Sequence, residues 1–179
     1  TVWKEQQVVP APVADDTEFL RRAHLHLAGK IPRVAEVHRF LADPAADKRR
    51  AVVDQLLESP AYIVNFTNVW RALMIPEAES DLGLRQQVPD FEAWLRRQLT
   101  QDTHFDVMVR ELITIPRPRG ELGRRFDPTP TPGGDPTVFL RIKGEPENVA
   151  ASVSRLFLGV RLECAQCHDH PFAKWQQKD

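Results

Sequence analysis

The sequence predicts an all-α fold, with about seven helices in a compact bundle and one long proline-rich irregular connection. Two observations predict this class. Apolar residues recur at three- and four-residue steps in successive segments, which is the period of an amphipathic helix. Several of these segments also begin at an Asp or a Pro, residue types that suit the first turn of a helix. The length of 179 residues is that of about one domain.

The first half of the chain predicts four short helices. Asp15 or Asp16 offers a carboxylate to cap a helix that runs through Ala28, and Gly29 follows as its stop. Asp47 is placed to cap the third helix, and Pro60 suits the first turn of the fourth. The expected ranges are about 16–28, 34–42, 48–58 and 60–74.

The second half predicts three more helices and one break. The helices are expected at about 90–99, 105–113 and 147–158, and the last leads directly into the two cysteines. Residues 115–146 contain seven prolines, counting Pro146, and such a run cannot sustain a helix. Within this connection, only the run 137–142 has the composition of an extended segment. A connection of this length is unusual in a compact domain, so we expect it to be mobile or folded over a site.

Composition and charge exclude several classes of protein. Apolar residues make up 42% and charged residues 27%, which is ordinary for a globular domain and unlike a disordered chain. The net charge of -1 disfavours a general nucleic-acid binder, since neutralising many phosphates needs a basic surface. No apolar stretch approaches the about 20 residues that span a bilayer.

The chain organisation follows from the same patterns. Residues 1–14 have no helical period and contain Pro10 and Pro12, so they are expected to form an extended lead-in. Residues 15–179 are expected to form a single helical domain. Because the chain begins at Thr1 without a recognisable leader, we expect a mature form or a piece of a longer protein.

One motif carries recognisable chemistry. Cys164 and Cys167 are followed by His168 in a CxxCH pentapeptide, the attachment pattern of haem c. Two thiols three positions apart on a tight turn can each form a thioether to a vinyl group, with the adjacent imidazole as proximal axial ligand of the iron. Both cysteines of the chain lie in this motif.

Two other chemistries fit the same residues. Cys164, Cys167, His168 and His170 offer two thiolates and two imidazoles, a ligand set that zinc accepts, although structural zinc sites normally draw their ligands from separated loops. A further alternative is that the two cysteines form a reducible disulfide or an inert thiol pair. Haem c, a structural metal and a thiol pair therefore all stay open at this point.

Four segments of the chain together form a recognisable pattern: 19–44, 48–62, 91–113 and 155–179, the last reading RLFLGVRLECAQCHDHPFAKWQQKD. These segments resemble the planctomycete cytochrome-like domain, which is also called the second planctomycete-specific cytochrome domain and is a domain of unknown function. The turn Gly29, Pro32 and Glu36 matches the family pattern. Two positions differ, since the family usually has Asp where His26 stands and an aromatic residue where His24 stands.

The resemblance implies a location and a role. It implies export to the periplasm or cell envelope, within a larger multidomain polypeptide, and a haem or redox role at Cys164, Cys167 and His168. The family pattern continues beyond the residue that matches Asp179, so we expect the chain to be a cut through the family domain. The resemblance implies no known reaction.

Further site residues are weaker predictions. A six-coordinate haem needs a distal ligand, for which Met108 is a candidate, although core packing explains its place on a helical stripe better. His170 and Trp175 are candidates to support the haem, against the alternatives of a simple turn and ordinary packing. His26 is expected to be a buried core histidine. Arg117, Arg119, Arg124 and Arg125 could pair with propionates or form a solvated loop.

The sequence therefore predicts an exported haem c domain for electron transfer or as a redox accessory. Its partner is expected to be a redox protein or a neighbouring domain of the same polypeptide, without nucleic acid. The alternative is a haem-free helical module with a zinc-like structural site. An enzymatic role is less favoured, since no Ser/His/Asp set, phosphate loop or paired carboxylates are present.

Overall fold

A computed structural model describes residues 2–115, 132–170, 172 and 174–176. It confirms the all-α class, since these residues form helices and turns and contain no strand. None of the described helices is long and apolar enough to cross a bilayer. The α-helices are α1 Val2–Glu5, α2 Asp16–Ala23, α3 Val34–Ala42, α4 Lys48–Leu57, α5 Pro60–Met74, α6 Leu82–Arg85, α7 Val88–Thr100, α8 Phe105–Thr114, α9 Thr137–Lys143 and α10 Pro146–Val153.

The described residues contain more helices than the predicted seven, because several helices are only about one turn long and are too short to show an apolar repeat in the sequence. Helix α1 is one of these, and it corrects the expectation that residues 1–14 are wholly extended. The amide of Gln6 donates to the carbonyl of Val2 (2.9 Å) and that of Val8 to the carbonyl of Trp3 (2.9 Å), which closes one exposed turn. Residues 8–15 then lack regular structure.

The contacts divide the chain into two units, residues 1–65 and residues 66–179. The boundary falls within α5, which supplies residues to both. The prediction of a single domain over 15–179 stays a prediction, and each unit is described by itself below.

The first unit is built on α2, α3 and α4. The Asp15 carboxylate accepts a hydrogen bond from the amide of Glu18 (2.8 Å), as expected of an N-cap. Asp16 then accepts from both Lys48 (2.7 Å) and Arg49 (2.7 Å), which ties the start of α2 to α4. The buried residues of the unit are Leu20, His24, Ala28, Phe40 and Leu56.

A π turn, His24–Ala28, ends α2 and changes which histidine is buried. His24 is only 6% exposed, whereas His26, the predicted core histidine, is exposed. That prediction assumed a regular α-helical period, but i→i+5 hydrogen bonding unwinds the turn. Leu20, His24 and Ala28 therefore share the inner side at four-residue steps, and His26 points outward.

The core of the second unit surrounds α7. Phe91, Trp94 and Leu95 are fully buried and pack with apolar residues of the neighbouring helices. The Glu111 carboxylate of α8 accepts hydrogen bonds from Trp94 Nε1 (3.0 Å), Arg97 (3.0 Å) and Gln98 (2.6 Å). The other buried members of this cluster are Met74, Ile75, Ala78, Met108, Leu112, Val138, Phe139 and Leu140.

Part of the predicted proline-rich connection packs against α7. Residues 116–131, including Arg117, Arg119, Arg124 and Arg125, lie outside the described residues. Beyond them, Gly133 O accepts from Arg97 (2.7 Å) and the Asp135 amide donates to Asp90 O (3.0 Å).

The run 137–142, expected to be extended, lies in helix α9. Asp135 Oδ1 accepts from the Thr137 amide (2.8 Å), which favours a helix start, and the apolar residues Val138, Phe139 and Leu140 become buried.

Gly134 provides a test of how closely residues 132–136 approach helix α7. Its φ of +83° and its position against α7 both exclude a side chain, since a Cβ would overlap Trp94 N and lie 2.5 Å from Asp90 O. We expect Gly134→Ala to lower the free energy of unfolding by roughly 3 kcal/mol or more. The matched control is Gly159→Ala, with a φ of +69° and open space around it, which should cost only about 1–2 kcal/mol. Urea denaturation measures both, and equal losses would contradict the packing of residues 132–136.

Burial of His24 predicts a pH-dependent stability. Burial lowers the pKa of His24 from 6.5, with Glu36 opposing and Lys30 adding to the effect. The unfolded chain therefore binds a proton more readily than the folded chain, so stability should fall as pH drops below about 6.5 through the lowered pKa. Between pH 7.5 and pH 5.5, the free energy of unfolding measured by denaturation should fall less in His24→Leu than in the wild type. His38→Gln, at an exposed position, is the control and should keep the wild-type loss.

Candidate functional site

The CxxCH motif forms a tight turn in the second unit. Helix α10 continues into a π turn, Ser154–Leu158, which ends at Gly159, and the chain then reaches a 3₁₀ turn at Glu163–Gln166. The amides of Cys167 (3.3 Å) and His168 (3.1 Å) both donate to Cys164 O. This turn brings the backbone of the two cysteines and the histidine together, as the spacing of the motif predicts.

The two thiols differ in exposure. Cys164 is half-buried and Cys167 is exposed, and both are free thiols without a disulfide between them. An ion pair between Arg155 and Glu163 (3.3 Å) ties the thiol turn to the preceding π turn. The turn therefore presents two sulfur atoms at a surface, with their backbone held by local hydrogen bonds.

The imidazole of His168 is exposed but held by a hydrogen bond. Its Nδ1 lies 2.7 Å from the carbonyl oxygen of Asp169. Because a carbonyl oxygen can only accept, Nδ1 carries the proton and donates it. Nε2 is then the ring nitrogen with the free lone pair, and a second hydrogen bond of this kind is how proteins fix the tautomer of a metal-binding histidine.

The segment after the motif folds back on itself. The amide of His170 donates to Trp175 O (2.9 Å), and the amide of Phe172 donates to His170 Nδ1 (3.2 Å). His170 is half-buried, and its Nδ1 accepts a hydrogen bond within this turn. A supporting role toward a cofactor stays a prediction, as it does for Trp175, which is 47% exposed.

Exposed apolar side chains flank the motif in sequence. Leu158 is 73% exposed and Phe172 is 94% exposed. One residue before Leu158, Phe157 joins an aromatic cluster with Trp70 (ring centroids 6.5 Å apart) and Phe105 (5.8 Å). Sequence reasoning missed this cluster, because it placed each ring on its own helical stripe and had no signal that joined them.

The sequence of the chain can be compared with known families. The family described as "PSCyt2: Protein of unknown function (DUF1549)" matches residues 1–179. The chain belongs to this family. No curated protein matches the chain, and no solved structure does. The PSCyt2 match confirms the resemblance to a cytochrome-like domain and covers both units.

Met108 of this PSCyt2 domain lies in the core. It is 5% exposed and packs in the cluster around Trp94. This is the packing position that the helical stripe favoured. Its assignment as a distal ligand stays a prediction, because the structure gives no second observation that relates it to the motif.

The alternative zinc site is not preformed in the PSCyt2 domain. Among residues 2–115, 132–170, 172 and 174–176, no three His, Cys, Asp or Glu side chains lie together as a metal-binding group. Zinc would have to bring together the four side chains from 164 to 170 that the sequence proposed, and His170 Nδ1 is engaged by Phe172. A structural metal therefore stays a prediction.

The exposure of the thiols predicts their reactivity. In native, haem-free protein, Cys167 should react with a maleimide faster than Cys164, because only Cys167 is exposed. The two single variants separate the thiols: Cys164→Ser leaves the fast one and Cys167→Ser the slow one. Mass spectrometry over a time course measures both rates, and unfolding in urea should bring them together. Equal rates in the native protein would contradict the placement of the turn.

Proposed function

We propose that this PSCyt2 domain binds haem c covalently and serves as an exported electron-transfer or redox-accessory module of a larger polypeptide. Cys164 and Cys167 would form the two thioethers and His168 would bind the iron. The hydrogen bond from His168 Nδ1 to Asp169 O supports the proposal most directly, because it leaves Nε2 as the free ring nitrogen.

The thiol turn suits covalent attachment. Both sulfur atoms belong to free thiols, and the 3₁₀ turn places them three residues apart with their backbone closed by hydrogen bonds to Cys164 O. Attachment adds each S–H across a vinyl group, so that the sulfur bonds to one vinyl carbon and the hydrogen to the other. The product would persist, since a thioether is not reduced under conditions that open a disulfide.

The exposed apolar groups that flank the motif in sequence suit a large planar cofactor. Leu158, Phe172 and Trp175 expose 73%, 94% and 47% of their surfaces, and a haem edge or face would remove apolar area from water. Burial of such area is worth about 25 cal/mol per Å². Iron coordinated by His168 supplies a one-electron couple when bound, whose potential is set by the axial ligands and the burial of the group.

Export and partners rest on the family resemblance. A haem c domain of this kind is expected in the periplasm or cell envelope, exchanging electrons with a redox protein or with a neighbouring domain of its own polypeptide. The absence of a recognised triad, phosphate loop or carboxylate pair in the sequence favours transfer over catalysis by this chain alone.

The experiment is expression of the chain with an export signal in a host that contains the cytochrome c maturation machinery. We expect a Soret band that survives denaturation and organic extraction, and a mass increment of one haem on the peptide containing Cys164 and Cys167. Each single Cys→Ser variant should reduce the covalent yield, and the double variant should abolish it.

Variants at histidines test the axial ligand. His168→Ala should abolish the stable product or shift its Soret band, because the iron loses its proximal ligand. The matched control is His104→Ala, which removes another exposed histidine of the second unit and should leave the spectrum unchanged. Protein with no Soret band would overturn the proposal. Stoichiometric zinc and unfolding on chelation would then identify the metal alternative.

A further inference from the structure

The first unit contains a cavity that the CxxCH motif does not use. It has a volume of about 260 Å³ and lies among α2 with its π turn, α3 and α4. This is slightly smaller than the roughly 300–1,000 Å³ of typical small-molecule sites. Its inner wall is apolar and its outer lining is charged. The buried apolar residues of the wall are Leu20, Ala28, Phe40 and Leu56.

His24 is the polar group of this inner wall. Its side chain is 6% exposed, and its Nδ1 has no hydrogen-bond partner among the described residues. Buried polar atoms are nearly always satisfied, and leaving one without a partner costs about 1–3 kcal/mol. The neutral imidazole, which burial favours, has one donor and one acceptor nitrogen. A ligand in the cavity can therefore complete a hydrogen bond that the protein leaves open.

The charged groups at the rim are unequally engaged. The carboxylate of Glu36 accepts from the Arg33 amide (2.6 Å), and that of Asp43 accepts from the Ala45 amide (2.9 Å). Lys48 is bound to Asp16 (2.7 Å). In contrast, the exposed Lys30 and Arg39 make no ion pair or side-chain hydrogen bond within the described part of the chain.

We infer that this cavity binds a small carboxylate with an apolar body. The apolar body would occupy the wall formed by Leu20, Phe40 and Leu56, and Arg39 would bind the carboxylate at the rim with Lys30 beside it. A guanidinium matches a carboxylate bidentately, which favours this anion over a neutral polar group. One oxygen of the same carboxylate would accept a hydrogen bond from His24 Nδ1, in the tautomer that carries the proton there. The site is independent of haem, since all of its residues belong to residues 1–65.

Benzoate is a suitable probe, with benzyl alcohol and glucuronate as its comparisons. Benzyl alcohol keeps the apolar ring without the charge, and glucuronate keeps the carboxylate on a polar body. Titrations of the 179-residue chain at pH 7.5 are followed by NMR of the His24 ring protons and by thermal denaturation. We expect saturable shifts and a higher melting temperature with benzoate, and at least about tenfold weaker binding of both other compounds.

Two variants and a control locate the site. Arg39→Gln removes an exposed charge without disturbing the core and should weaken the binding of benzoate at least about tenfold. His24→Gln changes the inner wall and should also weaken the binding of benzoate. Arg50→Gln is the matched control, since Arg50 lies on α4 with 86% of its side chain exposed and does not line the cavity.

Three results would overturn the inference. The first is the absence of saturable shifts at His24 with any probe, which would mean that the cavity holds ordered water only. The second is equal binding of benzoate and benzyl alcohol, which would remove the role of the cations. The third is benzoate binding that Arg39→Gln leaves unchanged, which would place the ligand elsewhere.

Discussion

The hydrogen bonds to the Glu111 carboxylate fix the helix on which the second unit depends. One oxygen accepts from Trp94 and Arg97 and the other from Gln98, so three donors on one side of α7 are satisfied by a single residue of α8. Leaving such donors without a partner costs about 1–3 kcal/mol each. Arg97 also donates a hydrogen bond to Gly133 O, which fixes the described end of the proline-rich connection against α7. Helices α9 and α10 follow from there, and α10 leads to the thiol turn.

The two units end one of their helices in the same way. Helix α2 continues into a π turn that ends at Gly29, and α10 continues into a π turn that ends at Gly159. π turns are rare and occur frequently at functional sites. Here one places His24 against the cavity of the first unit, and the other places Phe157 in an aromatic cluster ahead of the motif. Both candidate sites of the molecule therefore follow a local departure from the α-helical period.

The sequence predicted the regular helices well, because their caps and stripes are local signals: the ranges 34–42 and 60–74 agree with α3 and α5. The sequence-based predictions were wrong where tertiary contacts determine the local structure. A π turn cannot be read from periodicity, so His26 rather than His24 was expected in the core. The run 137–142 is rich in β-branched and aromatic residues, yet packing against α7 buries it as a helix. The motif residues could be named from their spacing alone. The hydrogen bond that orients His168 and the lack of a partner for His24 Nδ1 among the described residues are visible only in the three-dimensional structure.

The hydrogen bonds of the thiol turn bear on the order in which the turn and the helical units fold. Those that close it join residues at most four positions apart, and the His168 imidazole is held by the very next residue. Such contacts have the lowest possible contact order and form on the timescale of a single turn, long before helices separated by tens of residues find each other. For the proposed attachment of haem, the attaching enzyme would therefore need only this short peptide, even in a chain that is still unfolded. The two helical units would fold after the attachment.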